Sequence, residues 1–360
     1  MRTLGHYAAG HDNNFNLLRM LAATAVIYSH SFPFLQGYVP QGWPNWHGDW
    51  LFDLTDIDSG RMAVEVFFVM SGFLVGQSLD RRGLLKDYFV ARALRILPGL
   101  YAAVLFCAFG VGLVMTTLPA REYLLSLKLL KYLVFNFSLL HGWDQMLPGV
   151  FSHNPEGGRV NNSLWTLTWE VLMYLLLALA FVGGLLRRRA ILLALTLAVY
   201  AFVAINRETH AVSQPYVQVV TIFFSYFFVG TLLWLYRDRI PLNGWTTLAA
   251  LAGVALCWMA YKDHAQARAL SPALEAYAVI ALALVPAGPL RLYNRLGDYS
   301  YGTYIYAFPL EQSLVVLLPG LTPHRLFAYA LALTLPFAWA SWTFIEKPAL
   351  ALKPRRRKPA

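Results

Sequence analysis

Residues 61–95 read RMAVEVFFVMSGFLVGQSLDRRGLLKDYFVARALR. The first half is an apolar run interrupted by one carboxylate, Glu65. The second half turns polar and basic and ends in Arg92-Ala-Leu-Arg95. An apolar run of this length is read as a helix that crosses a membrane, and the basic residues beyond its end mark the cytoplasmic side. The stretch therefore predicts an intramembrane acid joined by one span to a basic cluster, as two ends of one site.

The rest of the chain extends this pattern. Of its 360 residues, 58% are hydrophobic and only 13% are charged, about half the charge content of an average soluble domain. Mean hydropathy is +0.49. Apolar runs recur at 17–35, 62–79, 96–116, 163–185, 190–206, 216–236, 244–261, 273–290, 299–319 and 326–346. A weaker run, 123–140, is interrupted by Lys128 and Lys131. Basic clusters stand at Arg81/Arg82/Lys86, Arg187–Arg189, Arg237/Arg239, Arg291/Arg295 and in the C-terminal KPRRRKP. Ten spans with a cytoplasmic N-terminus place all five clusters inside. An eleventh span at 123–140 would invert everything after it, so that run is read as interfacial or re-entrant on the outer side.

The predicted fold is thus an all-α, polytopic bundle of about ten transmembrane helices with both termini cytoplasmic. It comprises a single membrane domain over residues 1–350 and a basic cytoplasmic tail over 351–360. No cleavable signal peptide is expected, because the first fifteen residues are polar. The net charge of +10 is explained by positive cytoplasmic loops in contact with membrane lipids, and no nucleic-acid-binding module is present. Cys107 and Cys257 both lie in apolar runs and read as packing residues, and no metal-ligand spacing occurs. In the outer loop at 36–60, Trp43, Trp46 and Trp50 read as interfacial anchors more readily than as a sugar platform. Four aspartates there read as a solvated loop more readily than as a cation or sugar site.

Ionisable residues inside spans are costly and point to function. His30 lies near the outer end of the first span. Glu65 lies at a similar depth in the second. A carboxylate beside an imidazole holds one tautomer and makes a better base. Glu65 has a second possible partner in Arg61, one turn earlier. Arg92 and Arg95 share one helix face and suit a phosphate ester, although positive charge alone satisfies the topology. Arg19 opens the first span on the same side, as an anchor or a third phosphate ligand. Asn162-Ser-Leu-Trp165-Thr-Leu-Thr-Trp-Glu170 opens the fourth span. Glu170, one turn before Tyr174, reads as structural or as a ligand for an acceptor hydroxyl. Glu346, at the inner end of the last span, reads as a cap or a partner for a cytoplasmic arginine. In Ser71-Gly72-Phe-Leu-Val-Gly76, the glycines permit close helix packing or the approach of a ligand.

Taken together in this order, these motifs resemble the membrane acyltransferase-3 family. The resemblance runs nearly end to end and includes Leu147-Pro-Gly-Val-Phe151, Ser300-Tyr301-Gly302-Thr-Tyr304 and Phe344-Ile-Glu346-Lys-Pro348. It implies transfer of an acyl group, often acetyl, to hydroxyls of envelope carbohydrates. His30 would be the base, with Glu65 beside it. Acyl-CoA (acetyl-CoA) would be a co-substrate rather than a permanently bound cofactor, docking from the cytoplasm on Arg92 and Arg95, with Arg19 and Ser71 in the donor set. The acceptor, a saccharide or glycolipid, would meet the outer side, where Asn162, Trp165, Glu170 and Tyr174 serve as acceptor or structural residues. The implied location is a bacterial cytoplasmic membrane. The chain departs from the family at Ala307, where many members carry a histidine in Tyr-x-x-His-x-Pro; here the stretch is Tyr304-Ile-Tyr306-Ala307-Phe308-Pro309. The competing readings are a transporter or flippase of a lipid-linked saccharide and a structural scaffold. No internal repeat or midplane-broken span supports the transporter, and a scaffold leaves the intramembrane acids without purpose.

Overall fold

A computed structural model describes residues 2–10, 12–36, 48–139, 145–261 and 264–353. The basic tail beyond 353, Trp43 and Trp46 lie outside the described residues. Among the described residues the chain is helical, with isolated β-bridges only. Each of the ten apolar runs holds a helix: α1 (Phe15–His30), α2 (Ser59–Arg82), α3 (Leu85–Leu105), α4 (Trp165–Val182), α5 (Arg189–Thr209), α6 (Pro215–Leu235), α7 (Gly244–Met259), α8 (Ala265–Leu284), α9 (Ser300–Leu317) and α10 (Pro323–Ser341).

By length and composition, six helical stretches are able to cross a membrane: Ser59–Arg81, Leu85–Met115, Asn162–Val182, Arg189–Asn206, Pro215–Leu235 and Pro323–Ala351. A seventh arises if Leu270–Leu284 and Gly288–Arg295, bent by 82°, form one span. The weak run at 123–140 breaks into Ala120–Leu124 and Leu127–Ser138. A 12-residue helix rises only about 18 Å, well short of a hydrocarbon core. Both cysteines are free thiols.

The chain divides into two compact units, each discontinuous in sequence. The first comprises Met1–Ala22, Trp50–Leu85 and Trp169–Leu296. Its tightest packing is between α2 and α6. A Cβ on Gly72 would stand 1.8 Å from the Phe227 carbonyl oxygen, and one on Gly230 would stand 2.2 Å from that of Val69. Any side chain at either position would force the two backbones apart, so the glycines of the Ser71–Gly76 stretch serve close helix packing. Thr231 Oγ1 donates to the Gly72 carbonyl at 3.0 Å, and the Phe68 and Phe223 rings stack at 4.2 Å.

The second unit comprises Ala23–Asp49, Lys86–Thr168 and Gly297–Ala360. Its centre is α9, buried along nearly its whole length. Gly302 of α9 lies against Ala338 of α10, where a Cβ would come within 2.8 Å of the Ala338 Cα. The helix after α3 widens into a π-turn at Phe106–Val111. There the Ala108 carbonyl accepts from the Tyr123 hydroxyl at 2.6 Å. Burial keeps that phenol above its ordinary titration range, so it remains a donor.

One segment of this unit, leading into α4, is irregular up to a 3-10 turn at Asn162–Leu164; it is largely half-buried before Val160 and mostly buried from there on. Residues 154–166 run antiparallel to α9 and are tied to it along their length. Gln312 bonds Asn154 and the carbonyls of Gly157 and Arg159, Asn161 bonds the Ile305 carbonyl, and Tyr304 bonds Ser163 and Thr166. The Asn161 contact has a simple cause. In a helix the Ile305 carbonyl would accept from the amide of residue 309, and that residue is Pro309, which has no N–H. Asn161 Nδ2 fills the place at 2.8 Å. Non-helical backbone at this depth is tolerable only where protein surrounds it or it lines a cavity.

Candidate active site

His30 ends α1 and lies in the second unit. Its Nδ1 faces Oε2 of Glu311 at 3.6 Å; the histidine side chain is 25% exposed and the glutamate is fully buried. The imidazole is flanked edge-on by Phe34 and Phe308, with centroids at 5.8 and 5.3 Å. The other carboxylate oxygen, Oε1, stands 3.2 Å from Ser31 Oγ. Glu311 thus approaches the inner edge of the ring, Nδ1. A proton held there leaves Nε2 as the basic nitrogen. At 3.6 Å the pair is slightly beyond a hydrogen bond and needs only a small approach to close it.

Sequence reasoning applied the rule about intramembrane carboxylates to Glu65 and Glu170 but did not apply it to Glu311, which lies in the run 299–319. That rule was the signal available, and the structure makes Glu311 the carboxylate beside His30. His30 and Glu65 belong to different units. Of the two partners left open for Glu65, the one found in its own unit is Arg61, with Nε 3.3 Å from Oε1. Ala307, one turn before Glu311, is buried in an apolar cluster with Ile27, Phe34, Phe308, Leu326 and Ala330.

Arg95 is the better defined of the two α3 arginines. Its Nη2 donates to Asp298 Oδ2 at 2.6 Å, and its guanidinium lies 5.8 Å from the Tyr301 ring centre. Ser300 Oγ donates to the other oxygen of Asp298 at 2.5 Å. Glu346, buried within the π-turn Trp342–Glu346, accepts from Ser341 at 2.8 Å and is within electrostatic range of Arg95. An arginine set between two carboxylates has its direction fixed, with an oriented fork of donors. Asp298 was not singled out from the sequence, because it falls just before an apolar run rather than inside one. Arg92 is half-buried on the same helix. Arg19 falls in the first unit.

Three other predicted residues meet in the first unit. Ser71 Oγ lies 3.1 Å from Glu170 Oε1 and 3.1 Å from Tyr174 Oη, and the Tyr174 hydroxyl donates to the same glutamate oxygen. Ser71, expected in the donor set, is therefore joined to the Glu170–Tyr174 pair, expected as acceptor or structural residues. Asn162 accepts from Gln145 Nε2 in the second unit, and Trp165 begins α4 half-buried. Glu275, which sequence reasoning passed over, accepts from Trp258 at 2.9 Å and Tyr226 at 3.2 Å, joining α6, α7 and α8. Among the described residues no cluster of ligands for a metal ion is present.

A histidine whose Nδ1 faces a fully buried carboxylate, set among apolar side chains, has the geometry of a proton-transfer pair. A family model for an acyltransferase domain, acyltransferase-3, matches residues 12–343. The chain belongs to this family; it is an acyltransferase and a multi-pass membrane protein. It is 27% identical to nodulation protein 10 of Rhizobium leguminosarum bv. viciae, over 96% of this chain and 95% of that protein. It is 28% identical to the O-acetyl transferase of Shigella phage Sf6, over 93% and 95%. A putative acetyltransferase, ORF330, of Acidianus two-tailed virus is 27% identical over 71% and 75%. No solved structure matches the chain.

Proposed function

We propose that the protein is an O-acyltransferase that moves an acyl group, acetyl first among them, from acyl-CoA to a hydroxyl of an envelope or exported saccharide. The observation that carries this reading is the placement of His30 Nδ1 against the buried Glu311 carboxylate. The likeness to the phage protein, an O-acetyl transferase, supports both the acyl group and the hydroxyl acceptor. In this reading Nε2 of His30 takes the proton of the acceptor hydroxyl as its oxygen attacks the thioester carbonyl. The C–S bond then breaks, and the departing CoA sulfur receives the proton from the imidazolium. Glu311 is a positioning residue that holds the tautomer and stabilises the imidazolium. Arg95 and Arg92 take the donor's phosphates. The membrane arrangement that goes with this chemistry is ten spans, both termini in the cytoplasm and residence in a bacterial inner membrane, so that donor and acceptor arrive from opposite sides.

The test is acyl transfer from acetyl-CoA in proteoliposomes, with envelope glycan from a strain lacking the gene as acceptor. His30→Ala lowers kcat by about 10²–10⁴-fold, the usual contribution of a positioned base. Full activity in this variant refutes the assignment of the base.

A further inference from the structure

Asn161 is 2% exposed, and its Nδ2 is committed to the Ile305 carbonyl at 2.8 Å. Its other polar atom, Oδ1, is buried without a hydrogen-bond partner among the described residues. Two residues on, the hydroxyl of Ser163 is in the same condition, in a residue also 2% exposed. The backbone carbonyl of Ser163 is occupied, accepting from Tyr304 Oη at 3.0 Å. A buried acceptor and a buried hydroxyl left unmatched two residues apart cost stability unless something else pairs with them.

Their position along α9 says what that is. Asp298, which holds Arg95, stands just before α9, and Glu311, which faces His30, stands near its other end. The thirteen-residue step from 298 to 311 covers about 20 Å of helical rise. Ile305, where Asn161 is anchored, lies about 10 Å from the first and about 9 Å from the second. The pantetheine arm of coenzyme A is a chain of two amides equivalent to about five extended residues, or roughly 17 Å. Laid from the arginine end to the histidine end, it brings its amides to the middle of α9.

We infer that Asn161 and Ser163 form a subsite for the pantetheine amides of the acyl donor, with Asn161 Oδ1 accepting from an amide N–H and Ser163 Oγ donating to an amide carbonyl. This subsite rests on the acyl-CoA reading of the donor and adds to it the residues that read the arm rather than the phosphates. It accounts for an irregular segment held at depth against a proline-interrupted helix: Pro309 fixes Asn161 by one end and leaves the other for the donor. Ser163→Ala removes no hydrogen bond among the described residues, so it probes the subsite without disturbing the fold.

The experiment is calorimetric binding of two probes to the full-length protein in detergent: CoA, which carries the arm, and adenosine 3′,5′-bisphosphate, which lacks it. Ser163→Ala and Asn161→Ser are each expected to weaken CoA binding by about three- to tenfold, the effect of one lost hydrogen bond. Binding of the bisphosphate should stay unchanged. Wild-type affinity for CoA in both variants overturns the subsite and leaves the acyl-CoA reading intact, as does an equal loss for both probes. Failure of the wild-type protein to bind either probe overturns the acyl-CoA reading and the subsite with it.

Discussion

Replacing Asn161 with alanine leaves the Ile305 carbonyl without a donor, because the amide that would ordinarily serve it belongs to Pro309. A buried acceptor deprived of its partner costs about 1–3 kcal/mol. Hydrogen bonds between helices in membrane proteins average roughly 0.6 kcal/mol and reach about 1.7. The contact is 2.8 Å long and buried, which puts the expected loss near the top of that range, about 1.5 kcal/mol. Pro309→Ala supplies an amide one turn from Ile305 and lets α9 serve its own carbonyl. Asn161→Ala made in that background should then cost only about 0.5 kcal/mol, a coupling of about 1 kcal/mol between two residues far apart in sequence. The four proteins of the cycle can be compared by reversible unfolding in mixed micelles. Additivity within about 0.3 kcal/mol would mean that Asn161 does not stand in for the missing amide.

Other consequences follow from the same geometry. Glu311→Gln keeps the shape of the side chain but removes the charge facing His30, and kcat should fall about 10- to 100-fold with the donor KM unchanged; Glu311→Asp should recover part of the loss, and a rise in KM alone would show that Glu311 serves binding. Arg95→Lys retains the charge but loses the fork held by Asp298, so the donor KM should rise about tenfold while kcat is nearly preserved. Gly72→Ala places a methyl group 1.8 Å from the Phe227 carbonyl and should destabilise the α2–α6 pair by about 3 kcal/mol or more, read as loss of monodisperse protein on size exclusion. Ser71→Ala leaves Glu170 bonded to Tyr174, so its transfer rate should fall less than threefold, about 0.6 kcal/mol; a loss beyond a hundredfold would assign Ser71 to the chemistry.

What the sequence determined by itself is what depends on composition and local order. Apolar runs and basic loops placed a helix at every strong run and set the interrupted run at 123–140 apart from the spans, because hydropathy and loop charge act residue by residue. Glycines at 72 and 76 announced close packing or the approach of a ligand for the same reason: no neighbour is needed to say that a side chain is missing. Glu170 and Tyr174, one turn apart, were legible as a pair, and so were Arg61 and Glu65. Pairings across long separations were a different matter. His30 meets Glu311, Arg95 meets Asp298, Ser71 meets Glu170 and Asn161 replaces an amide lost at Pro309, all at distances along the chain that helical periodicity does not relate. A buried ionisable group demands a partner, but the demand does not say which one. Only the packing of α9 within the second unit brought Glu311 beside His30.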